Sequence, residues 1–357
     1  MTGPATPVLP LADLGRDDVP AAGGKGASLG ELRRAGVRVP DGFVVTTAAF
    51  RAAVGTLDLG APVAALDPAD AGAVAATCAE LRAAVEAAPL PDEVAAAIVA
   101  AHERLAADVG EEDPPVAVRS SATSEDGAQD SFAGLQDTYL GVRGVAAVLR
   151  DVRRCWASLY GVESVTYRLR RGIPETDLAM AVVVQHLVDA RSSGVMFTRS
   201  PLTGDRSVVA IDASWGLGSA VVGGDVTPDA FVVSKVTGEI DRRTVATKTR
   251  WHRPAPDGAG VVEGEVPDDR RDVPSVTDDE VAALVAVARR VEAHYGCPQD
   301  IEWALAPDGD VVLLQSRPET VWAARDAAGA GQKVAAPTAR AFDHVLHALG
   351  GRRPSGA

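Results

Sequence analysis

Hydrophobic residues recur with helical spacing in the first half of the chain and in short strand-like runs in the second half. Leu29 and Leu32 share one helical face after the glycine cluster Gly23–Gly26, and Pro89-Leu90-Pro91 separates two alanine-rich stretches. The spacing predicts helices after Gly26 and over 71–88, 92–109, 145–160 and 162–171. The N-terminal part is therefore expected to be mainly helical.

Two short apolar runs interrupt these helices. Residues 43–45 and 116–118 are typical of buried strands. The second run leads into a polar segment, Arg119 to Leu140, that shows no periodicity. A segment of this length inside a compact domain favours a functional loop or disorder.

The second half is rich in β-branched residues separated by turn residues. Short strands are predicted over 181–188, 194–198, 207–212, 231–235 and 245–251. One strong helix is predicted over 278–295, with Gly296 as its C-cap. The runs 300–305 and 310–315 flank Pro307-Asp308-Gly309 and predict a β-hairpin.

The order of these elements predicts an α+β protein with two lobes and a cleft. We expect an N-terminal lobe over 1–178, a C-terminal lobe over 179–323 and a tail over 324–357. A nucleotide held between two lobes would fit this arrangement.

The composition restricts the possible partners. The 357 residues include 46% hydrophobic residues and carry a net charge of −14, which argues against binding to nucleic acid or to an anionic membrane surface. No apolar stretch is long enough to span a bilayer, and the N-terminus lacks signal-peptide features, so a cytoplasmic location is expected. A phosphate-rich ligand would require a local cluster of cations, assisted by a metal ion.

The first candidates for that cluster are Lys25 and Arg119. Lys25 is one of only four lysines and lies in Gly23–Gly26, ahead of a predicted helix whose N-terminus would favour a phosphate. The alternative is an exposed turn. Arg119 precedes a run of hydroxyl residues and can bind two phosphate oxygens, whereas its structural alternative is an ion pair with Glu125 or Asp126.

The apolar strand ending in Gln185-His186-Leu187-Val188 offers a different kind of contact. Its backbone could present N–H and C=O groups to a purine edge, but an ordinary core strand is the alternative. His186 is expected to be a structural histidine.

The predicted hairpin near the C-terminus carries the most specific combination. Glu302 and Gln315 can fall on the same face of its two strands, and a carboxylate with an amide oxygen suits Mg²⁺. Arg317 nearby would meet a γ-phosphate. The alternative is a surface salt bridge between Glu302 and Arg317.

Seven segments in this order resemble the ATP-binding domain of phosphoenolpyruvate synthase, pyruvate phosphate dikinase and rifampicin phosphotransferase. They are GGKGASLGEL, VPDGFVVTT, AVRSSATSEDGAQDSFAGLQDTYL, VVVQHLV, SGVMFTRSPLTGD, ASWGLGSAVVGGDVTPDAFVVSK and QDIEWALAPDGDVVLLQSRPET, which together reach from Gly23 to Thr320. The resemblance implies an ATP-grasp-like fold whose two lobes close on Mg-ATP. It implies a kinase or phosphotransferase that splits ATP to AMP and passes a phosphoryl or pyrophosphoryl group through a histidine on a swivelling domain.

The resemblance also implies roles for individual residues. Lys25 and Arg119 correspond to phosphate-binding cations, and Arg317 to the γ-phosphate arginine. Glu302 and Gln315 correspond to the magnesium ligands. The further nucleotide contacts that it implies are Gly134, Thr138, Gln185 and Leu187.

One feature of the family is missing from this sequence. None of the six histidines lies in the Thr-Ser-His-Ala-like context of the family's phosphohistidine, and residues 324–357 are too few for a swivelling domain. The first hypothesis is an enzyme that phosphorylates a histidine on a separate partner protein. The second is a kinase that acts directly on a small molecule, and the third is a module that senses ATP without catalysis.

Overall fold

The prediction of helices in the first half and strands in the second is confirmed by the computed structural model. The structure describes residues 6–123, 126–127, 130–131, 137–175, 178–256, 260–320 and 322, with the backbone alone at 126–127 and 130–131. These residues divide into two compact units. One takes the described residues of Met1–Glu31, Asp41–Leu187 and Pro256–Gly260, and the other takes those of Leu32–Pro40, Val188–Ala255 and Val261–Ala357.

The first half of the chain holds seven α-helices among its described residues: α1 (Val19–Arg34), α2 (Thr47–Val54), α3 (Gly60–Ala64), α4 (Ala71–Ala87), α5 (Asp92–Val109), α6 (Val145–Ala157) and α7 (Val162–Arg171). Its strands are β1 (Val8–Pro10), β2 (Gly42–Val45), β3 (Val116–Ala122), β4 (Asp126–Gly127), β5 (Asp130–Ser131), β6 (Thr138–Val142) and β7 (Met180–His186). The predicted helices 71–88, 92–109 and 162–171 are confirmed almost to the residue.

An antiparallel five-stranded sheet organises the first unit, in the order β1-β2-β7-β3-β6. One face of this sheet carries Phe43, Val118 and Val184, which belong to a large apolar core shared with α2, α4, α5, α6 and α7. Strand residues alternate between faces, so Arg119, Ser121 and Gln185 lie on the opposite face.

The second half of the chain contains β8 (Ser192–Phe197), β9 (Val208–Trp215), β10 (Asp229–Ser234), β11 (Ile240–Thr244), β12 (Arg250–Pro254), β13 (Val261–Glu265), β14 (Gln299–Leu305) and β15 (Val311–Pro318). Its helices are α8 (Ser219–Val222), α9 (Asp268–Arg271) and α10 (Asp278–Tyr295). The helix predicted over 278–295 is confirmed, and Gly296 ends it in the left-handed conformation, with φ of 71°.

Six of these strands form the second sheet, in the order β11-β10-β9-β8-β14-β15, with every neighbouring pair antiparallel. One face carries Met196, Phe231, Ile301 and Trp303, which are buried. Helix α10 packs against β14 and β15. The other face carries Glu302 and the polar residues described below.

Two sequence-based expectations about strands were wrong. Residues 245–251 do not form one strand. The strand before them, β11, ends at Thr244 and pairs with β10, whereas β12 begins at Arg250 and pairs with β13. The loop predicted to begin at Arg119 begins only after Ala122. Strand β3 continues to Ala122 because all seven of its residues pair with β7.

The division into units also differs from the predicted boundary at 178/179. That boundary would assign β7 to the C-terminal lobe, whereas β7 is the central strand of the first sheet. The first unit therefore continues to Leu187.

The predicted tail over 324–357 lies outside the described residues. Among the described residues, each helix is too short or too polar to cross a lipid bilayer.

Candidate functional site

The glycine cluster around Lys25 is not a loop ahead of a helix but a break within α1. Gly23 interrupts the helix with φ of 67° and ψ of 174°, and the helix resumes at Gly24. The Ser121 hydroxyl of β3 joins the two parts: it donates to the Ala22 carbonyl at 2.8 Å and accepts from the Gly26 N–H at 3.1 Å. This contact places the Lys25 backbone against β3.

The close approach explains why glycine occupies these positions. A Cβ atom on Gly23 would lie 2.0 Å from the Ser121 carbonyl oxygen, and one on Gly26 would lie 2.9 Å from Val44 Cγ2. Gly23, Gly24 and Gly26 are buried. The alternative of an exposed turn is therefore wrong.

Replacing Gly23 by alanine is expected to destabilise the protein by about 3 kcal/mol or more, because it adds a steric overlap to an unfavourable positive φ. Urea denaturation measures the change. Gly110→Ala is the matched control: Gly110 also has positive φ, 79°, but no atom lies within 4 Å of its added Cβ. We expect the control to lose only about 1 kcal/mol, and equal losses would contradict the steric explanation.

Four of the residues predicted to contact nucleotide belong to this part of the first unit. Thr138 of β6 pairs with Arg119 of β3, so both side chains lie on the same face of the sheet. Gln185 pairs with Ala117, which places its side chain on that face too. Helix α1, with Lys25, packs on this face through Ser121. Gly134 lies outside the described residues.

The surroundings of β7, the strand predicted to contact a purine, restrict which of its backbone groups are open to a ligand. β7 is an interior strand, and its backbone is flanked by β2 and β3 on both sides up to its end. The Leu187 N–H donates to the Pro115 carbonyl at 2.8 Å, and the Gln185 side chain is 2% exposed. The strand therefore has no open backbone edge from Val182 to His186. Contacts of Gln185 and Leu187 with a base stay predictions.

In the second unit, the β14–β15 hairpin brings three predicted residues together as expected. Glu302 and Gln315 are direct cross-strand partners, and Arg317 lies two residues further along β15 on the same face. The sequence analysis missed Asp300, which pairs with Arg317: the Nε and Nη2 of Arg317 donate to Asp300 Oδ2 at 2.9 and 2.8 Å. We call Asp300, Glu302, Gln315 and Arg317 the hairpin cluster.

The electrostatics of the hairpin cluster follow from its burial. The side chains of Arg317 and Asp300 are 19% and 15% exposed. Burial raises the pKa of Asp300, while Arg317 lowers it and the nearby charge of Glu302 raises it further. The Asp300 carboxylate thus holds Arg317 in place, and the positive charge of Arg317 in turn favours the ionised form of the Asp300 carboxyl group.

Another carboxyl group, Asp212 of β9, lies on the same face of this sheet and was also missed. Burial raises the pKa of Asp212 to about 7. Asp212 lies in the mostly apolar run IDASW, where a single acidic residue matches no known binding or catalytic motif. Its alternation with Ile211 and Ala213 is the signal that could have identified it.

The donor set of the hairpin cluster fits Mg²⁺. The Glu302 carboxylate and the Gln315 amide oxygen are hard oxygen ligands on adjacent positions of two strands. Within the described ranges, no three His, Cys, Asp or Glu side chains are grouped to hold a metal ion. Two protein ligands are what Mg²⁺ commonly takes when substrate phosphates complete its coordination.

The α+β fold holds the glycine break against Ser121 in its first unit and the hairpin cluster in its second unit. The sequence profile described as "Pyruvate phosphate dikinase, AMP/ATP-binding domain" matches residues 19–336. The chain therefore belongs to this family.

Two curated relatives show the same relationship. The chain is 47% identical over 318 residues to "Rifampicin phosphotransferase" of Streptomyces sp, covering 88% of this chain and 36% of that protein. It is 44% identical over 312 residues to "Probable phosphoenolpyruvate synthase" of Methanothermobacter thermautotrophicus, covering 86% of this chain and 45% of that protein. The chain thus spans less than half the length of these two relatives.

Among solved structures, D-cycloserine synthetase DcsG aligns with 81% of this chain and 61% of its own, at a TM-score of 0.29 and 13% sequence identity. At this level the similarity contributes nothing to the assignment.

Proposed function

We propose that this chain is an ATP-dependent phosphotransferase module that binds Mg-ATP and transfers a phosphoryl or pyrophosphoryl group to a histidine on a separate partner protein. Membership of the AMP/ATP-binding family supports the nucleotide. The pairing of Glu302 with Gln315, beside Arg317, is the observation that supports phosphoryl transfer. Binding alone requires neither a metal-ligand pair nor an oriented arginine.

The roles proposed for the side chains follow from their chemistry. Lys25 and Arg119 of the first unit bind phosphate oxygens, Arg119 in the two-point manner open to a guanidinium. Thr138 and Gly134 add nucleotide contacts, and Gln185 and Leu187 contact the base. Glu302 and Gln315 hold Mg²⁺, which neutralises phosphate charge when bound. Arg317 stabilises the charge that develops on the transferred group.

The proposal for the histidine that accepts the phosphoryl group rests on the sequence context of the six histidines in this chain. The six histidines are His102, His186, His252, His294, His344 and His347, and none lies in a Thr-Ser-His-Ala-like context. The relatives named as a rifampicin phosphotransferase and a probable phosphoenolpyruvate synthase are more than twice as long as the matched region. We therefore place the acceptor histidine outside these 357 residues.

The test uses two samples of ATP, labelled with ³²P at the β- or at the γ-phosphate, with Mg²⁺ and the product of an adjacent gene that encodes a histidine-bearing domain. We expect AMP, and acid-labile, base-stable label on the partner from β-labelled ATP. Glu302→Gln is the control and should abolish labelling. Formation of ADP with a phosphorylated small molecule would instead identify a kinase that acts directly, and ATP binding with no turnover would identify a sensing module.

A further inference from the structure

Helix α10 and the turn after β10 border a groove that the proposed function does not use. Its volume is about 690 Å³. The residues that line it belong to the second unit and are Lys235, Ala286, Arg289, Arg290, Glu292 and Ala293. We call it the α10 groove. Lys235 continues the alternation of Phe231 and Val233, which are buried on the sheet face opposite Glu302. The α10 groove is therefore separate from the hairpin cluster.

The α10 groove is positively charged in a chain whose net charge is −14. It contains three cations and one carboxylate, that of Glu292. The Lys235 Nζ donates to the Glu292 carboxylate at 2.6 Å and to the Thr198 carbonyl. Arg290 donates to the Gly36 carbonyl at 3.0 Å. These contacts hold two of the cations in place, which lowers the entropic cost of binding an anion there.

Arg289 is the cation whose charge is open to a ligand. It lies on the exposed side of α10, and its guanidinium forms no hydrogen bond or ion pair with any described residue. Ala286 and Ala293 lie one turn before and one turn after it on the same helix face, and both are exposed. Val236, next to Lys235, is 84% exposed. A ligand in the α10 groove therefore meets a guanidinium beside small apolar side chains.

The shape and charge of the α10 groove select one kind of ligand. Small-molecule sites bury most of the ligand's surface, whereas the alanines that line this groove are exposed. The tail over 324–357 carries five cations and two carboxylates, so the groove would repel it. A second copy bound about a two-fold axis would place the cations of one groove against those of the other. An acidic segment of a different protein is the ligand that matches.

We propose that an acidic segment of the partner protein docks in the α10 groove. Its carboxylates pair with Arg289 and Arg290. Its small apolar side chains lie on Ala286 and Ala293. The identity of this partner, the protein that carries the acceptor histidine, rests on the function proposed above. Because the α10 groove and Glu302 lie on opposite faces of the second sheet, the docked segment leaves the hairpin cluster uncovered while the histidine reaches the nucleotide.

The first measurement requires no phosphoryl transfer. A fluorescein-labelled peptide of alternating glutamate and alanine is titrated with the full chain, and its fluorescence anisotropy is recorded. Mg²⁺ and the β,γ-imido analogue of ATP are present, so that the proposed nucleotide site does not compete for the peptide. We expect binding that weakens as salt is added. Arg289→Glu should bind the peptide at least about tenfold more weakly, because it replaces attraction by repulsion.

Arg104→Glu is the matched control for this titration. Arg104 is an exposed arginine of α5 in the first unit, so the substitution makes the same change of charge on another helix. This variant should bind the peptide as the wild type does. Equal affinity of the wild type and Arg289→Glu, or no binding of the peptide by the wild type, would overturn the docking site.

The second measurement uses the histidine-bearing partner and the labelling reaction described above. Arg289→Glu should raise the KM for the partner about tenfold and leave kcat and the affinity for ATP unchanged, because docking and chemistry use opposite faces of the sheet. An unchanged KM would overturn the docking site while the proposed function stands. Binding of the peptide by the wild type without labelling of the partner would overturn the proposed function and leave the α10 groove as a site for an acidic segment. A dimer in sedimentation velocity that Arg289→Glu dissociates would identify a second copy as the occupant and overturn this inference.

Discussion

Replacing Arg317 by methionine is expected to lower the rate of ATP turnover about 10³-fold, the effect typical of losing an arginine that stabilises a transferring phosphoryl group. Affinity for ATP should fall much less, because the other phosphate contacts remain. Arg317 is suited to this role because Asp300 holds its guanidinium through two hydrogen bonds at a rim of the sheet. Rapid-quench measurement of AMP formation with the acceptor present, beside calorimetric ATP titration, separates the two quantities.

Two further variants make this prediction specific. Arg317→Lys keeps a positive charge near Asp300 but loses the fork geometry, so an intermediate rate is expected. Arg38→Met removes an arginine that pairs with Asp308 and Asp310 at the opposite end of the same hairpin, and it should leave turnover unchanged. Equal loss of turnover in Arg38→Met and Arg317→Met would mean that the hairpin was merely destabilised.

Replacing Asp229 by alanine is expected to lower the free energy of unfolding by about 3–5 kcal/mol. Asp229 is fully buried at the start of β10 and forms an ion pair with the fully buried Lys248. Its carboxylate also accepts from the Ala246 N–H and from both the N–H and the hydroxyl of Ser275. The substitution would leave one buried ammonium and three donors without their acceptor. Chemical denaturation at neutral pH measures the loss.

A matched control separates burial from ion pairing as such. Glu263→Ala removes the partner of Arg250 from an exposed ion pair between β12 and β13. This substitution should lower the free energy of unfolding by less than about 1 kcal/mol. Lys248→Met should cost less than Asp229→Ala, since Asp229 keeps three donors and a nonpolar side chain fills the space of the lysine. If both Asp229→Ala and Glu263→Ala lowered the free energy of unfolding by less than about 1 kcal/mol, the buried interactions of Asp229 would not stabilise the fold as expected.

Helices were predicted well from sequence where local signals were complete. The helix over 278–295 has a capping box at Thr277 and Glu280, a regular apolar face and a C-terminal glycine, and each acts within a few residues. The β14–β15 hairpin was predicted for the same reason, because a Pro-Asp-Gly turn lies between two apolar runs. The face shared by Glu302 and Gln315 then followed from strand alternation.

Other features could not be predicted because they depend on strands far apart in the sequence. β3 continues past Val118 because β7, more than 50 residues later, pairs with all of it. Arg119 appeared to begin a loop because its segment is polar, and polarity does not reveal a distant strand partner. The ion pair of Arg317 with Asp300 lies within the predicted hairpin, but it depends on which residues of the two strands stand opposite each other, and this register is set by the folded hairpin.

The sequence by itself determined the family, the mixed class of fold and the residue types that suit Mg²⁺ and phosphate, because these depend on motifs and on local periodicity. Only the tertiary structure decided that the glycines around Lys25 are buried against Ser121, that β7 is an interior strand and that Asp212 lies on the same face of its sheet as Glu302. The physical reason is that close approach, strand neighbours and burial arise from contacts between distant segments. A single sequence read residue by residue does not contain the register that creates them.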